Sequence, residues 1–341
     1  MGLDCCLVTF GRPRWRAREP LMSTALESVE ILDLRHYGSA DLRPLLHSES
    51  QLWAQRMDWD YHSSAEMILR YIDSKILPGY AAIENGCIVG YAFFVYEGSK
   101  GVIGDLFVGA ADPVRAASIR DRLLTHVIET LQQTPGIHRI ESQLLVHDAG
   151  MVADPFLREG FRLYRRKFLE LPLDGAQIPL SPLPADIEIR KWSEADFQQA
   201  AQVITAAYAG HIDSEINDQY RTSAGSLRFL NNIVRFPGCG IFDSGSSFIA
   251  VSRPTGSMVG LLLCSRVRKD VGHVTQVCLL PERRGAGLGK RLIEECCREL
   301  QRRHFSALSL TVTQANDRAV ELYRRLGFST KKVFDAFVWE G

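Results

Sequence analysis

Near its C-terminus the chain contains Arg284-Gly285-Ala286-Gly287-Leu288-Gly289-Lys290, between a strand-like run that ends at Leu280 and a helix-like run. Glycines at alternate positions leave backbone N–H groups without a shielding Cβ atom. A helix that begins at such a loop also points the positive end of its dipole toward the loop. The ligand that this arrangement favours is a diphosphate.

Two common phosphate-binding loops do not match this segment. A triphosphate P-loop requires Gly-x-x-x-x-Gly-Lys-Ser/Thr, but Arg284 stands where its first glycine belongs and Arg291 where its hydroxyl belongs. The dinucleotide fingerprint requires Gly-x-Gly-x-x-Gly, with an acidic residue about 20 residues further on, whereas the spacing here is Gly-x-Gly-x-Gly. Neither a nucleoside triphosphate nor a dinucleotide is therefore indicated.

A third kind of loop does match. Arg284, Gly287 and Gly289 resemble the Arg/Gln-x-x-Gly-x-Gly/Ala pattern of the acetyl-CoA loop in GNAT-family N-acetyltransferases. A second GNAT-like signature, Asn-x-x-Ala-x-x-Leu-Tyr-x-x-x-Gly-Phe, follows over residues 316–328. Both motifs occur in the family's order, with the strand-like stretch Ala307–Thr313 between them. The resemblance implies transfer of an acetyl group from acetyl-CoA, as cosubstrate, to a primary amine.

The two halves of the chain are related to each other. Residues 172–186 contain four prolines and little hydrophobic periodicity, which is typical of a linker. Aligning Leu123 with Leu292, or Gly160 with Gly327, relates the halves with shifts that agree within two residues. An internal repeat of a whole domain is therefore predicted.

The first copy lacks the residues that carry the chemistry. In this alignment Gly287 corresponds to Ser118 and Gly289 to Arg120, which compromises a close backbone approach to diphosphate. Phe156, which has no hydroxyl, corresponds to the tyrosine of the second signature. We expect a degenerate first domain with a structural or acceptor-shaping role.

The expected fold class is α/β, or α+β in some schemes. It consists of two tandem GNAT-like domains, each with a mixed, mostly antiparallel central sheet flanked by helices. The expected organisation is a disordered N-terminal extension over 1–24, the degenerate domain over 25–171, the linker over 172–186 and the catalytic domain over 187–341.

The resemblance also implies how the cofactor binds. The strand before the glycine loop diverges from its neighbour, so its backbone groups can bind the pantetheine arm and the thioester oxygen. Asn316 binds the pantetheine chain or caps the following helix, or does both. Arg284, Lys290 and Arg325 are candidates for phosphate contacts, with solvated surface as the alternative for Arg325. The predicted cofactor-binding residues are Cys278, Leu279, Leu280, Arg284, Gly285, Ala286, Gly287, Leu288, Gly289, Lys290, Asn316 and Tyr323.

The first candidates for catalysis are Tyr323 and His273. Tyr323 faces the thioester sulfur in relatives and could donate a hydrogen bond to the departing thiolate. An amine with a pKa of about 10.4 costs on the order of 4 kcal/mol to deprotonate at neutral pH, so a base or a desolvating pocket is needed. His273 is the candidate base, because some members of the family that the chain resembles have a carboxylate base at about this point of the strand; a structural histidine is the alternative. Asp213 and Glu215 are further candidates, acting through water from a segment that either borders the acceptor site or is a solvated loop.

Composition limits the remaining possibilities. The 341 residues include 40 Lys+Arg and 40 Asp+Glu, so net charge indicates neither nucleic acid nor membrane as a partner. The 8 cysteines have no metal-binding spacing, and no metal is expected. Residues 1–21 are interrupted by glycine, prolines and arginines, unlike a spanning helix or a leader. We expect a cytoplasmic enzyme acting on a small-molecule or peptide amine. A non-catalytic acetyl-CoA sensor is the alternative, and the acceptor and the oligomeric state stay open.

Overall fold

A computed structural model of the chain describes residues 29–235 and 240–341. The predicted extension over 1–24 lies outside these residues. The first half of the described chain contains β1 (Glu30–Asp33), α1 (Ser39–Met57), α2 (His62–Asp73), β2 (Gly79–Glu84), β3 (Cys87–Glu97), β4 (Lys100–Val108), α3 (Pro113–Gln133), β5 (Arg139–Gln143), α4 (Ala153–Arg158) and β6 (Arg162–Pro172).

The segment 173–186, which contains no helix or strand, leads to the second half. Its prolines have no backbone N–H to donate, which disfavours both kinds of element. The second half contains β7 (Ile187–Lys191), α5 (Phe197–Tyr208), α6 (Asp213–Ile216), α7 (Ser223–Arg235), β8 (Ile241–Phe242), β9 (Phe248–Ser252), β10 (Met258–Arg268), β11 (Val271–Leu279), α8 (Leu288–Arg302), β12 (Ala307–Thr313), α9 (Asp317–Arg325) and β13 (Ser329–Glu340).

The described strands form one continuous sheet. Its order is β1-β2-β3-β4-β5-β13-β6-β12-β11-β10-β9-β7, and β8 pairs with β10 beside this path. All pairs are antiparallel except β4 with β5 and β11 with β12. The mixed, mostly antiparallel architecture predicted from the sequence is thus confirmed, but the sheets of the two halves are joined edge to edge.

An exchange of last strands makes this joint. β6, the last strand of the first half, pairs with β12 over Arg166–Pro172. β13, the last strand of the second half, pairs with both β5 and β6, so that Trp339 lies opposite Ile140 and Val333 opposite Lys167. Each half therefore satisfies edge hydrogen-bonding groups of the other.

Helices cover both faces of the second half of the sheet. α8 buries its apolar stripe of Leu292, Ile293, Cys296 and Leu300 against one face. α5 covers the opposite face with its own apolar stripe of Ala200, Val203, Ile204 and Ala207. Cys296 and Cys297 are both buried and free. In the described part of the chain, no helix has the length and apolar character needed to cross a membrane.

Two irregularities of β11 create the space in which the site lies. β11 pairs with β12 only from Val271 to Val274, although it continues beside β10 to Leu279. Beyond Val274 the two parallel strands separate, as expected from the resemblance. A β-bulge at Thr275 also interrupts the pairing with β10. The side chains of β11 therefore do not alternate regularly between the two faces, because the extra residue shifts their period by one.

Candidate active site

A cavity of about 1080 Å³ opens where β11 and β12 separate. From the second half it is lined by the end of α5, by the glycine loop and by the first turns of α8 and α9. The first half contributes Trp59, Gln143, Leu145 and Arg166. The cavity thus lies between the two halves of the chain and is lined by both.

The glycine loop leaves the first amides of α8 open. Gly285 and Gly287 have φ of +89° and +80°, the left-handed region in which an L side chain is strained. Gly287 is the N-cap residue and supplies no side-chain hydrogen bond, and no atom lies within 4 Å of where its Cβ would be. The first amides of a helix have no intrahelical acceptor. A diphosphate could therefore approach and accept hydrogen bonds from them.

The corresponding helix of the first half is closed to such a ligand. Residues 115–120, which align with the glycine loop, lie inside α3. The carboxylate of Asp112 caps this helix by accepting hydrogen bonds from the backbone N–H of Val114 at 3.2 Å and of Arg115 at 3.1 Å. The chain's own negative charge therefore occupies the end of the helix where a phosphate would bind.

The three basic side chains expected at the phosphates all have protein partners. Arg284 donates to the carbonyl oxygens of Leu279, at 3.4 Å, and of Ala207, which ties the loop to α5. The other two form ion pairs within their own helices, Lys290 with Glu294 at 3.4 Å and Arg325 with Glu321 at 2.7 Å.

A fourth cation, Arg318, was not predicted from the sequence. A Cβ added to Gly285 would lie 3.5 Å from Nη2 of Arg318, which is exposed and lines the cavity. Among the ion pairs of the described residues, none includes Arg318. Its position inside the second signature was visible in the sequence. Its closeness to the loop depends on where the fold places the start of α9.

Tyr323 lies on α9 at the cavity wall, with 6% of its surface exposed. Its ring packs against Phe328 with 5.8 Å between centroids. Burial, with a further contribution from the nearby Asp213 carboxylate, raises the pKa of the Tyr323 phenol well above its ordinary value. The phenol therefore keeps its proton at neutral pH and can donate a hydrogen bond into the cavity.

His273 is enclosed by aromatic side chains from the first half. Trp59 lies 5.1 Å and Phe168 5.7 Å from its ring, and its Nδ1 is 2.9 Å from the Ser309 hydroxyl. Burial, and secondly the charge of Arg166, lowers the pKa of His273 to about 3. An imidazole with this pKa is a poor acceptor for an amine proton. The surroundings of His273 favour the structural alternative over a general base.

Asp213 and His211 are better placed to accept a proton, since both line the cavity and are less buried than His273. Asp213 accepts a hydrogen bond from the Thr313 hydroxyl, and its Oδ2 lies 3.6 Å from Nδ1 of His211. Nε2 of His211 is 3.3 Å from the amide nitrogen of Asn316. The sequence indicated Asp213 as a candidate base but gave no role to His211.

Asn316 lines the cavity, whereas Glu215 does not. Oδ1 of Asn316 accepts a hydrogen bond from the Ala319 backbone N–H at 3.2 Å, so Asn316 caps α9 as the sequence suggested. Glu215 is exposed, accepts a hydrogen bond from the Tyr164 hydroxyl at 2.9 Å and does not line the cavity. Of the two acidic candidates for the base, the cavity therefore brings only Asp213 close to Tyr323.

The remaining predicted residues line the cavity around the opening, except Leu280 and Ala286. Cys278 is on the α5 face of β11, and burial raises the pKa of its thiol to about 12, so it stays uncharged. Residues 285–290 run from the loop into α8. The predicted cofactor residues that line the cavity are Cys278, Leu279, Arg284, Gly285, Gly287, Leu288, Gly289, Lys290, Asn316 and Tyr323.

Known proteins resemble this chain in sequence. The acetyltransferase (GNAT) family model matches residues 214–328. The mycothiol acetyltransferase of Renibacterium salmoninarum is 30% identical over 187 residues, which are 53% of this chain and 52% of that protein. The corresponding enzyme of Arthrobacter sp. (strain FB24) is 25% identical over 250 residues, 71% of each chain. The chain thus spans about half the length of the first of these relatives.

Solved structures share the fold over nearly the whole chain. A GCN5-related N-acetyltransferase from Sphaerobacter thermophilus has a TM-score of 0.62 at 16% identity and covers 91% of this chain and 95% of its own. A tandem GNAT protein from the clavulanic acid biosynthesis pathway has a TM-score of 0.58 at 14% identity, covering 92% and 98%. The motifs and the family match agree that residues 214–328 form a domain of the acetyltransferase (GNAT) family, and the chain as a whole has the fold of tandem GNAT proteins.

Proposed function

We propose that the protein transfers the acetyl group of acetyl-CoA to a primary amine, by direct attack of the amine while both substrates are bound. The observation that carries this proposal is that the uncapped N-terminus of α8 and the protonated phenol of Tyr323 face the same cavity. The same proposal assigns the catalytic domain to residues 187–341, the linker to 172–186 and the degenerate domain to 25–171.

The residues at the opening suit coenzyme A. The first amides of α8, beside the left-handed Gly285 and Gly287, would hold the diphosphate, with Arg318 as the nearby cation without an ion pair in the described chain. The edge of β11 beyond Val274, which β12 leaves unpaired, would bind the pantetheine arm. Bound acetyl-CoA would supply the thioester carbonyl that the amine attacks, and coenzyme A would leave as the thiolate.

Residues of the chain would stabilise the developing charges and accept the proton that the amine loses. Backbone N–H groups of β11 that point toward the thioester oxygen would stabilise negative charge developing there. Tyr323 would donate a hydrogen bond to the departing sulfur. Because a phenol is a weaker acid than a thiol, its contribution depends on its position. Asp213, acting with His211 or through water, would accept the proton that the amine loses as the new C–N bond forms.

An assay of coenzyme A release tests this proposal. The full-length protein is incubated with acetyl-CoA and a panel of primary amines, and free thiol is measured over time, while calorimetry measures coenzyme A binding. We expect binding together with amine-dependent release. Binding without release by any amine would favour the non-catalytic sensor, and the absence of binding would refute both functions.

A further inference from the structure

Arg166 lines the cavity and has a side-chain donor without a protein acceptor. It lies on β6, and its Nη1 donates to Oε1 of Gln143 at 2.6 Å. Its Nε is buried and has no acceptor. Among the ion pairs of residues 29–235 and 240–341, none includes Arg166. A buried donor without an acceptor costs free energy, more so when the group is charged, so a ligand that supplies the acceptor would bind favourably.

Gln276 provides a second, independent donor of this kind. Its side chain lines the same cavity and is 4% exposed. Oε1 accepts hydrogen bonds from the Tyr208 hydroxyl at 2.7 Å and from the Val277 backbone N–H at 3.1 Å, which fixes the orientation of the amide. Nε2 is left buried without an acceptor. Two donors, one from each half of the chain, thus lack oxygen partners.

The carboxylates of the cavity do not neutralise Arg166. Asp213 is engaged by the Thr313 hydroxyl and lies beside His211, and Glu321 is paired with Arg324 and Arg325. The neighbouring His273 is kept uncharged by burial. The cavity therefore contains one cation, Arg166, on the side lined by the first half, without a negative partner.

We propose that the acceptor is an amine that also carries a carboxylate, and that Arg166 binds this carboxylate. This inference rests on the proposed acetyl transfer and narrows its substrate class. Nη1 is held by Gln143 and Nε is enclosed, so a carboxylate in the cavity would first meet Nη2. A turn of the guanidinium toward the cavity would offer the edge formed by Nε and Nη2, whose two parallel donors match the two oxygens of a carboxylate. A single cation suits the single charge of a carboxylate better than the double charge of a phosphate monoester.

Matched pairs of amines test the proposal. Coenzyme A release is compared for each α-amino acid, β-alanine and γ-aminobutyrate against its carboxamide, and for O-phosphoethanolamine against ethanolamine. We expect kcat/KM to be about tenfold or more higher for the best carboxylate than for its amide, in line with a charge-assisted hydrogen-bond pair. In Arg166→Gln this ratio should fall to near one, while the calorimetric Kd for coenzyme A stays the same.

Lys167→Gln is the matched control. It removes one positive charge from the next position of β6, whose side chain points to the opposite face of the sheet. Lys167 does not line the cavity. This variant should keep the full preference for carboxylates. An equal loss of preference in both variants would mean that net charge, and not the Arg166 subsite, causes the effect.

A binding measurement separates this inference from the proposed function. With coenzyme A present, N-acetyl amino acids should raise the melting temperature more than their N-acetyl amides do, and Arg166→Gln should abolish the difference. If no amine releases coenzyme A but this difference persists, the proposed activity fails and the carboxylate subsite stands. The inference is overturned if acids and amides behave alike in both assays, if Arg166→Gln keeps the preference, or if O-phosphoethanolamine is the better substrate.

Discussion

The indole ring of Trp59 and the imidazole ring of His273 come from different halves of the chain and lie 5.1 Å apart between centroids. Phe168, also from the first half, packs on His273 as well. The first half has no glycine loop and no tyrosine at the matching positions, yet its side chains form one wall of the cavity between the halves. Acceptor recognition is therefore expected to depend on both halves.

Replacing Gly287 should weaken cofactor binding. At φ +80° an alanine is strained by roughly 1 kcal/mol or more, and relief of this strain would turn the first amides of α8 away from the ligand. We expect Gly287→Ala to raise the calorimetric Kd for coenzyme A at least about tenfold.

Gly256→Ala is the control for this strain. Gly256 also has positive φ, +67°, and free space around its Cβ position, but it lies in the turn between β9 and β10. Gly256→Ala should lower the free energy of unfolding by a similar amount and keep the affinity for coenzyme A. A comparable loss of affinity in the two variants would contradict the role of Gly287.

Replacing Tyr323 by phenylalanine should lower turnover more than binding. The proposed role of the phenol is to donate a hydrogen bond to the departing sulfur, and it does not bind the diphosphate. Tyr323→Phe should therefore reduce kcat by about tenfold or more with little change in the Kd for coenzyme A. Tyr164→Phe removes a hydroxyl that bonds to the exposed Glu215 and should keep wild-type kinetics. Wild-type turnover in Tyr323→Phe would show that the assigned role is wrong.

One molecule of coenzyme A should bind per chain. The Asp112 carboxylate caps α3 at the end of the helix where a second diphosphate would have to bind. Asp112→Ala should lower the free energy of unfolding by about 1 kcal/mol through loss of the cap, without adding a second site. Isothermal titration of the intact protein measures the stoichiometry, and a value near two would contradict this expectation.

Burial of His273 should make stability depend on pH. Its folded pKa of about 3 lies below the ordinary value of about 6.5, so between these two pH values the unfolded state binds more protons and stability falls as pH decreases. Between pH 7 and pH 5, protonation of this single group should lower the free energy of unfolding by about 2 kcal/mol.

Urea denaturation of the wild type and of His273→Asn at the two pH values checks this prediction. The other histidines are common to both proteins, so their contributions cancel in the comparison. The variant should lose less stability on acidification, whatever its stability at pH 7. Equal losses in the two proteins would mean that His273 is not buried in its neutral form.

Cutting the chain between its halves should not separate them. Gly175 lies in the exposed coil between β6 and β7, so a protease site inserted there should be cleaved in the folded protein. The two fragments should co-elute in size-exclusion chromatography, because β6 and β13 are each hydrogen-bonded into the sheet of the other half. Elution as two separate domains would contradict the strand exchange.

The repeat predicted from two short alignments is visible in matching details of the structure. Gly160 and Gly327 both have positive φ, at +77° and +94°. Phe156 packs edge to face on Phe161 as Tyr323 does on Phe328. The repeat could be found in the sequence because each of these structural matches requires a particular residue type at a fixed spacing.

The sequence alone determined the glycine loop, the capped helix that carries Tyr323 and the family to which they point. These features are local, since a left-handed φ, a helix cap and a helical stripe are each encoded within a few residues. Only the tertiary structure decided the bulge at Thr275, the exchange of β6 and β13, and the presence of Arg166 and Gln276 in the wall of one cavity. Backbone hydrogen bonds are the same for every residue type, so a strand's pattern indicates which face is buried but not which strand it will pair with.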